Sequence, residues 1–358
     1  MTRALPGSFW PTAQQTLLLR AALVGGEASV EAWRRVRPSI DIDTLESEAL
    51  VLLPLVYAEL AAAGVEDPLL PKLRGIHHRT WYVNQLRIDR AAPAVAGIQA
   101  TGAEPLLVNS FELVVTYYRD LGARAVTALN LLVRPDRFDA ALGALADAGW
   151  RSGRRGRGWA SFAGAEGDEC VVRRRLVDEF ATDEPMDLWD TAVAVELGSV
   201  AAAALSPTDE LLAVCLVGAR ARPWRSLVWI ADAATILRVS GSAVDWPRLV
   251  ERATRLRATL RFRDALAFLR TELDAPVPDH VVTELERVRV TRRDALAHRL
   301  AGRAASESVT RFLTATGDVG TLRAVSRLPS FFRDEWSLER RSQVPLAAFR
   351  RARVRRAR

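Results

Sequence analysis

Asn109, Ser110, Arg124, Asn130 and Arg173 are the residues whose types and positions suit recognition of an anion. Asn109-Ser110 follows the short apolar run Glu104–Val108 and precedes a helical stretch from about Phe111 to Leu121. Such a turn offers backbone N–H groups and a helix N-terminus to a phosphate or carboxylate. Asn and Ser are equally at home as plain turn and cap residues. Arg124 comes just after Gly122-Ala123 and reads in two ways: as a forked donor to phosphate or carboxylate, or as a solvated turn residue. Arg173, Arg174 and Arg175 interrupt a strand pattern, and two of them must share a face. One reading is a fixed cation for an acidic ligand, and the other is an exposed edge strand kept from aggregating by charge. Glu112 lies near a helix N-terminus, where the helix dipole accounts for it. Asp232 sits in an apolar helix and calls for an arginine partner, with Arg220, Arg222 and Arg225 as the candidates.

Other chemistries find no support. There is no Gly-x-Ser-x-Gly elbow, and neither Cys170 nor Cys215 has a histidine near it in sequence. Their spacing suits neither a metal site nor a disulfide framework. His77-His78 occupies adjacent helical positions that point apart, so no metal is assigned there. Gly153–Gly158 is rich in glycine and arginine but does not join a strand to a helix as a dinucleotide fingerprint must. It reads as a mobile loop, within a stretch, Arg151–Gly167, that reads as a loop or hairpin turn. No cofactor is expected.

The chain has 358 residues, 49% of them hydrophobic and 26% charged, with mean hydropathy +0.02. That is an ordinary globular composition. Apolar runs such as Ala49–Tyr57 and Val193–Leu205 are interrupted or fall short of the ~18–20 residues needed to span a bilayer. Met1-Thr-Arg-Ala-Leu-Pro leads into no apolar core, so no export signal is expected, and the cytoplasm is the default compartment. The formal charge of +7 is concentrated at one end: Arg340–Arg358 holds eight arginines and no acid, and without them the body stands at −1. This tail reads as a disordered end or as an amphipathic helix for an acidic surface. Binding of nucleic acid through it is a weaker expectation.

Helical patterns cover residues 9–100, including an Ile88, Ala91, Val95, Ile98 stripe, with Pro54 as a kink or break. Strands are expected at Glu104–Val108, Ala125–Val133 and Val171–Val177, and a helix at Pro135–Ala148. Ser206-Pro207-Thr208-Asp209 is a helix start: a capping serine, then proline, then acids in the first turn. Helices follow at about 207–219, 225–238, 245–270, 278–303 and 305–316. Trp224, Trp229 and Trp246 lie in or beside apolar helical patterns and fit core packing.

A strand, a polar turn, a helix, a second strand and a third is a layout that serves metal-dependent nucleotidyl transfer. There, two carboxylates alternate on the second strand, and one more comes from the next. The chain resembles the uncharacterised nucleotidyltransferases of the polymerase-β-like superfamily over roughly residues 40–270. Val108-Asn109-Ser110 stands where that family has Leu-Lys-Gly, and Tyr118 and Arg124 stand where it has its tyrosine and arginine. Ala128–Val133 matches its Asp-Ile-Asp-Leu-Leu-Val strand, Cys170–Leu176 its Val-Asp-Leu-His-Trp-Arg-Leu, and Leu205–Asp209 its Leu-Ser-Pro-Glu-Asp. Leu227–Asp232 and Asp245-Trp246 are similar to later landmarks.

The departures bear on chemistry. Ala128, Asn130 and Val171 hold the three positions where the resemblance implies carboxylates, and the histidines expected near Arg173 and Val217 are absent. The resemblance thus implies a degenerate member: α+β and mostly helical, with a small nucleotidyltransferase-like mixed sheet flanked by N-terminal and C-terminal helical regions. The divisions read as a helical region at 1–100, the α/β core at 101–204, a second helical region at 205–330 and a basic tail at 331–358. The expected function is a pseudoenzyme that binds an anionic small molecule, a peptide or a protein partner through Asn109, Ser110, Arg124, Asn130 and Arg173, without metal. The alternative is a repurposed metal-independent enzyme in natural-product biosynthesis, with Arg173 filling the vacated metal site.

Overall fold

The computed structural model describes residues 10–156, 158–176, 187–218 and 227–300, together with 309, 312–313, 316, 321–335, 340–345 and 348. The N-terminal part is helical. It comprises α1 (Ala13–Leu23), α2 (Gly26–Val36), α3 (Ser47–Leu50), α4 (Leu53–Ala62) and the 31-residue α5 (Leu70–Ala100). Thr12 caps α1 through a reciprocal bond pair with Gln15. Pro54 and Pro71 fall in the first turns of α4 and α5, where no helical donor is missed. Of the kink and the break expected at Pro54, the structure has the break: α3 ends at Leu50 and Pro54 lies in the first turn of α4.

The middle of the chain builds the sheet. Strand β1 (Leu106–Leu107) is followed by a helical turn that widens to π geometry over Leu113–Tyr118. This element is shorter than the helix expected to Leu121. Next come β2 (Ala128–Leu132), α6 (Phe138–Asp147), β3 (Arg151–Arg155), β4 (Trp159–Ala163), β5 (Glu169–Arg173), β6 (Val193–Leu197) and β7 (Val200–Ala204). Together they form a seven-stranded mixed sheet in the order β3-β4-β5-β2-β1-β7-β6. β1 runs antiparallel to β2 and parallel to β7, and β2 runs parallel to β5.

The sheet decides readings that the sequence leaves open. Of the loop and the hairpin turn, the glycine-arginine stretch takes the hairpin: Ala160 and Phe162 alternate into the core, and β3 pairs with β4. A Cβ on Gly153 would come within 2.8 Å of Ser161 Oγ, so glycine lets the two strands approach there. The strand bearing Arg173 is not at an edge, since β5 lies between β4 and β2. The apolar run Val193–Leu205 is a hairpin, turning at Gly198 with φ +60°.

The C-terminal part returns to helix: α7 (Pro207–Gly218), α8 (Val228–Ser240), α9 (Trp246–Arg255), α10 (Thr259–Leu273), α11 (Asp279–Arg287), α12 (Arg292–Leu300) and α13 (Thr321–Glu335). Ser206 accepts from the Asp209 N–H, as its position predicts. The single helix expected over 245–270 is broken at Arg257, φ +57°. That expected over 278–303 is broken by Thr291 and Asp294, which cap one another and start α12 afresh. The helix expected over 305–316 falls mostly outside the described residues, as do Trp224, Arg220, Arg222, Arg225 and much of the arginine tail. Trp229 is buried and Trp246 packs against the core. The fold is thus mostly helical around a small mixed sheet.

Strand alternation divides the interior into two cores. Leu107, Leu129, Leu131, Cys170 and Val172 face α6 and the Ile88–Ile98 stripe of α5. Leu106 and Leu132 face the other way, into a larger core that joins α1, α2 and α4 to α7, α8 and α10. Among the described residues, no helix is long and apolar enough to cross a membrane.

Asn84, buried on α5, ties the helix to the approach of β2. Its Nδ2 donates to the carbonyls of Leu121 and Arg124 at 2.7 Å each, and its Oδ1 accepts from Val126 N–H at 3.1 Å. Asn84→Ala would leave these backbone groups without partners. A loss of about 3 kcal/mol is expected, read as a lower midpoint in urea unfolding.

Candidate functional site

The turn after β1 is built from backbone bonds. Val108 N–H extends the ladder to the Asn130 carbonyl at 3.1 Å. Asn109 then adopts left-handed backbone, φ 51°, a conformation asparagine tolerates better than most residues. Its N–H donates to Glu210 Oε1 of α7 at 3.1 Å, and the next N–H, of Ser110, donates to Glu112 Oε1 at 2.6 Å. The two N–H groups expected to meet an anion are therefore engaged by the chain's own carboxyls. Ser110 is fully buried, and its hydroxyl donates to the Ala128 carbonyl at 3.0 Å while accepting from Asn130 N–H at 3.3 Å. It pins the turn to β2.

Arg124 is neither a solvated turn residue nor a free fork. Its Nε and Nη2 donate to the two oxygens of Asp232 at 2.7 and 2.9 Å, with Arg124 11% and Asp232 4% exposed. Tyr118 donates its hydroxyl to the same carboxylate at 2.8 Å. The structural partner of Asp232 is thus Arg124, from the far side of the sheet connection. Burial opposes the Arg124 charge, but Asp232 more than offsets it and raises the guanidinium pKa. Burial and the neighbouring Asp232 charge raise Tyr118 well above an ordinary phenol.

Glu112 differs from the dipole-stabilised surface acid expected at its position. It is 1% exposed, and burial lifts its pKa to about 7 against the pull of the Ser110 N–H and Arg124. Glu210, also buried, is raised by burial and then by Glu112. Tyr117 is buried beside both, and its phenol is raised by burial and by the two carboxyls. Glu210 went unnoticed in sequence because it reads as a first-turn acid of α7, the same signal that marks a helix start.

Ala128, Asn130 and Val171 do come together. Ala128 and Asn130 alternate onto one face of β2, and Asn130 is the register partner of Val171 on β5. Asn130 is half-buried and Val171 is 7% exposed. Glu169, which pairs with Ala128, brings one exposed carboxylate to this face, and Ser161 and Trp159 adjoin from β4. Alternation along β5 puts Arg173 on the same side as Val171. Trp159 packs so closely over Gly156 that a Cβ there would meet its Nε1 at 2.2 Å. His77 bonds Asp120 at 2.8 Å.

A family profile described as "Uncharacterised nucleotidyltransferase" matches residues 46–273. The chain belongs to that family. It is a family of the polymerase-β-like nucleotidyltransferase superfamily and spans most of the chain here. No curated protein and no solved structure matches. Divalent metals are what this superfamily implies, and the donor set does not fit them. Mg²⁺ needs several hard oxygen ligands, and among the described residues the strand positions of this face offer one neutral amide and one exposed carboxylate. Among the described residues, no group of three or more His, Cys, Asp or Glu could hold an ion.

Asp232→Ala would strand a buried guanidinium. A loss of about 3–5 kcal/mol is expected in denaturant unfolding, whereas Tyr118→Phe should cost about 1 kcal/mol.

Proposed function

We propose that this nucleotidyltransferase-family protein does not carry out metal-dependent nucleotidyl transfer and acts by binding a ligand or a protein partner. The observation that carries the reading is the meeting of Ala128, Asn130 and Val171 on one face of adjoining strands. A methyl group, an amide and an isopropyl group stand together there. Displacement at phosphorus by this route needs ions that neutralise charge on the attacking and leaving oxygens, and neutral side chains do not hold them. The turn after β1 supports the same reading, because its N–H groups are satisfied internally by Glu210 and Glu112. Among the described residues, this face presents the Asn130 amide, Trp159, the Glu169 carboxylate and Arg173. An anionic small molecule or an acidic segment of a peptide or protein would be received at the Asn130 and Arg173 positions, away from Glu169 at the other end of β5.

Titration calorimetry with each nucleoside triphosphate and Mg²⁺ tests the proposal. No metal-dependent heat and no pyrophosphate are expected; saturable Mg²⁺-dependent binding with pyrophosphate release would overturn it. The triple variant Ala128→Asp, Asn130→Asp, Val171→Asp should gain Mn²⁺ binding that the native chain lacks, measured by the same method.

A further inference from the structure

We propose that Glu112 and Glu210 share one proton between their Oε2 atoms, and that this proton latches the Asn109–Ser110 turn onto α7. The inference does not depend on what the sheet face binds.

Its basis is the pairing of satisfied and unsatisfied oxygens. Each carboxyl is at most 1% exposed. Each uses Oε1 to accept from one of two consecutive N–H groups, Asn109 for Glu210 and Ser110 for Glu112. Each leaves Oε2 buried without any hydrogen-bond partner. A buried carboxylate oxygen with no partner is costly, and a charge on Glu112 also opposes one on Glu210. A carboxyl–carboxylate pair removes both difficulties at once. One Oε2 carries the proton as donor and the other accepts it, so no buried oxygen is left bare and only one negative charge remains.

Among the described residues, the surrounding charges do not supply an alternative. Arg124 is the cation near both groups, and its fork is held by both oxygens of Asp232. Asp232 adds a second negative charge from α8. Tyr117, on the π-helical turn, stays a neutral phenol, and Tyr118 is committed to Asp232. Among the described residues the cluster thus has three carboxyls, Glu112, Glu210 and Asp232, to one guanidinium, Arg124, which favours retention of a proton.

Deprotonation breaks one O–H bond, hands the proton to solvent base and leaves two interacting carboxylates in the interior. Their repulsion acts directly on the two N–H bonds that fix the turn. Both acids have folded-state pKa values raised above 4.5, Glu112 to about 7. The folded state therefore binds more protons than the unfolded chain above pH 4.5. Stability from this pair is complete at low pH and declines as pH rises through the neutral range.

The test uses the full chain, melted at pH 5.5 and 8.5, with amide exchange at Asn109 and Ser110 corrected for intrinsic rates. The native protein should lose about 4 °C between the two pH values, and both amides should lose protection. Glu210→Gln keeps the Oε1 acceptor and supplies a fixed N–H in place of the proton. It should abolish most of that shift and melt above the native chain at pH 8.5. Glu112→Gln is the second variant and should behave alike. An unchanged pH dependence in both, or amide protection that does not vary with pH in the native chain, would overturn the proposal. So would failure of both variants to fold at pH 8.5, because a neutral isostere must be tolerated where the pair holds a proton.

Discussion

The Arg124–Asp232 ion pair holds the central unit in register. Withdrawing a guanidinium and a carboxylate from water costs several kcal/mol for each, and the cost is recovered only when both oxygens meet donors in good geometry. Here both do, and Tyr118 adds a third donor. The pair joins α8 to the segment entering β2, while Asn84 grips the Arg124 carbonyl from α5. Three elements distant in sequence are thereby set at one point. From there β2 starts with Ala128 and Asn130 facing away from the Ile88–Ile98 core. A small error in that geometry would leave charges buried without partners, so the arrangement has little tolerance for drift.

This constraint separates scaffold from chemistry. Tyr118, Arg124 and Asp232 are bonded together in the interior, and they serve the fold. Ala128, Asn130 and Val171, which meet on one face of β2 and β5, carry no anionic oxygen. A dense cluster of acids there would repel itself without ions, and these side chains avoid that repulsion. Nothing in the packing of β2 against β5 then requires a metal. The internal capture of the Asn109 and Ser110 N–H groups fits the same shift, since a phosphate would have to displace Glu210 and Glu112 from bonds inside the protein.

Much of the fold was legible in the sequence, because its signals are local. The strand at Ala128–Leu132, the start of α7 and the helical N-terminal region follow from periodicity and capping. The meeting of 128, 130 and 171 was legible through the family resemblance and the two-residue strand repeat. What escaped depends on contacts distant in sequence. Arg124 looked solvated because glycine and alanine precede it, and only Asp232, 108 residues away, buries it. Glu112 and Glu210 both looked like first-turn acids, and their shared burial arises only when α7 packs behind the turn. The β3–β4 hairpin was hidden by arginines on its exposed side, although Ala160 and Phe162 keep the alternation on the other.

One further consequence lies in α5. Near its start, Leu73 is buried in the core that unites the terminal helices, while Ile88, Val95 and Ile98 belong to the core behind the sheet. A single continuous rod is therefore a structural member of both compartments. Neither can dissolve while the other keeps its share of that rod fully ordered, so the two should melt as one cooperative body and a protease should release no durable half.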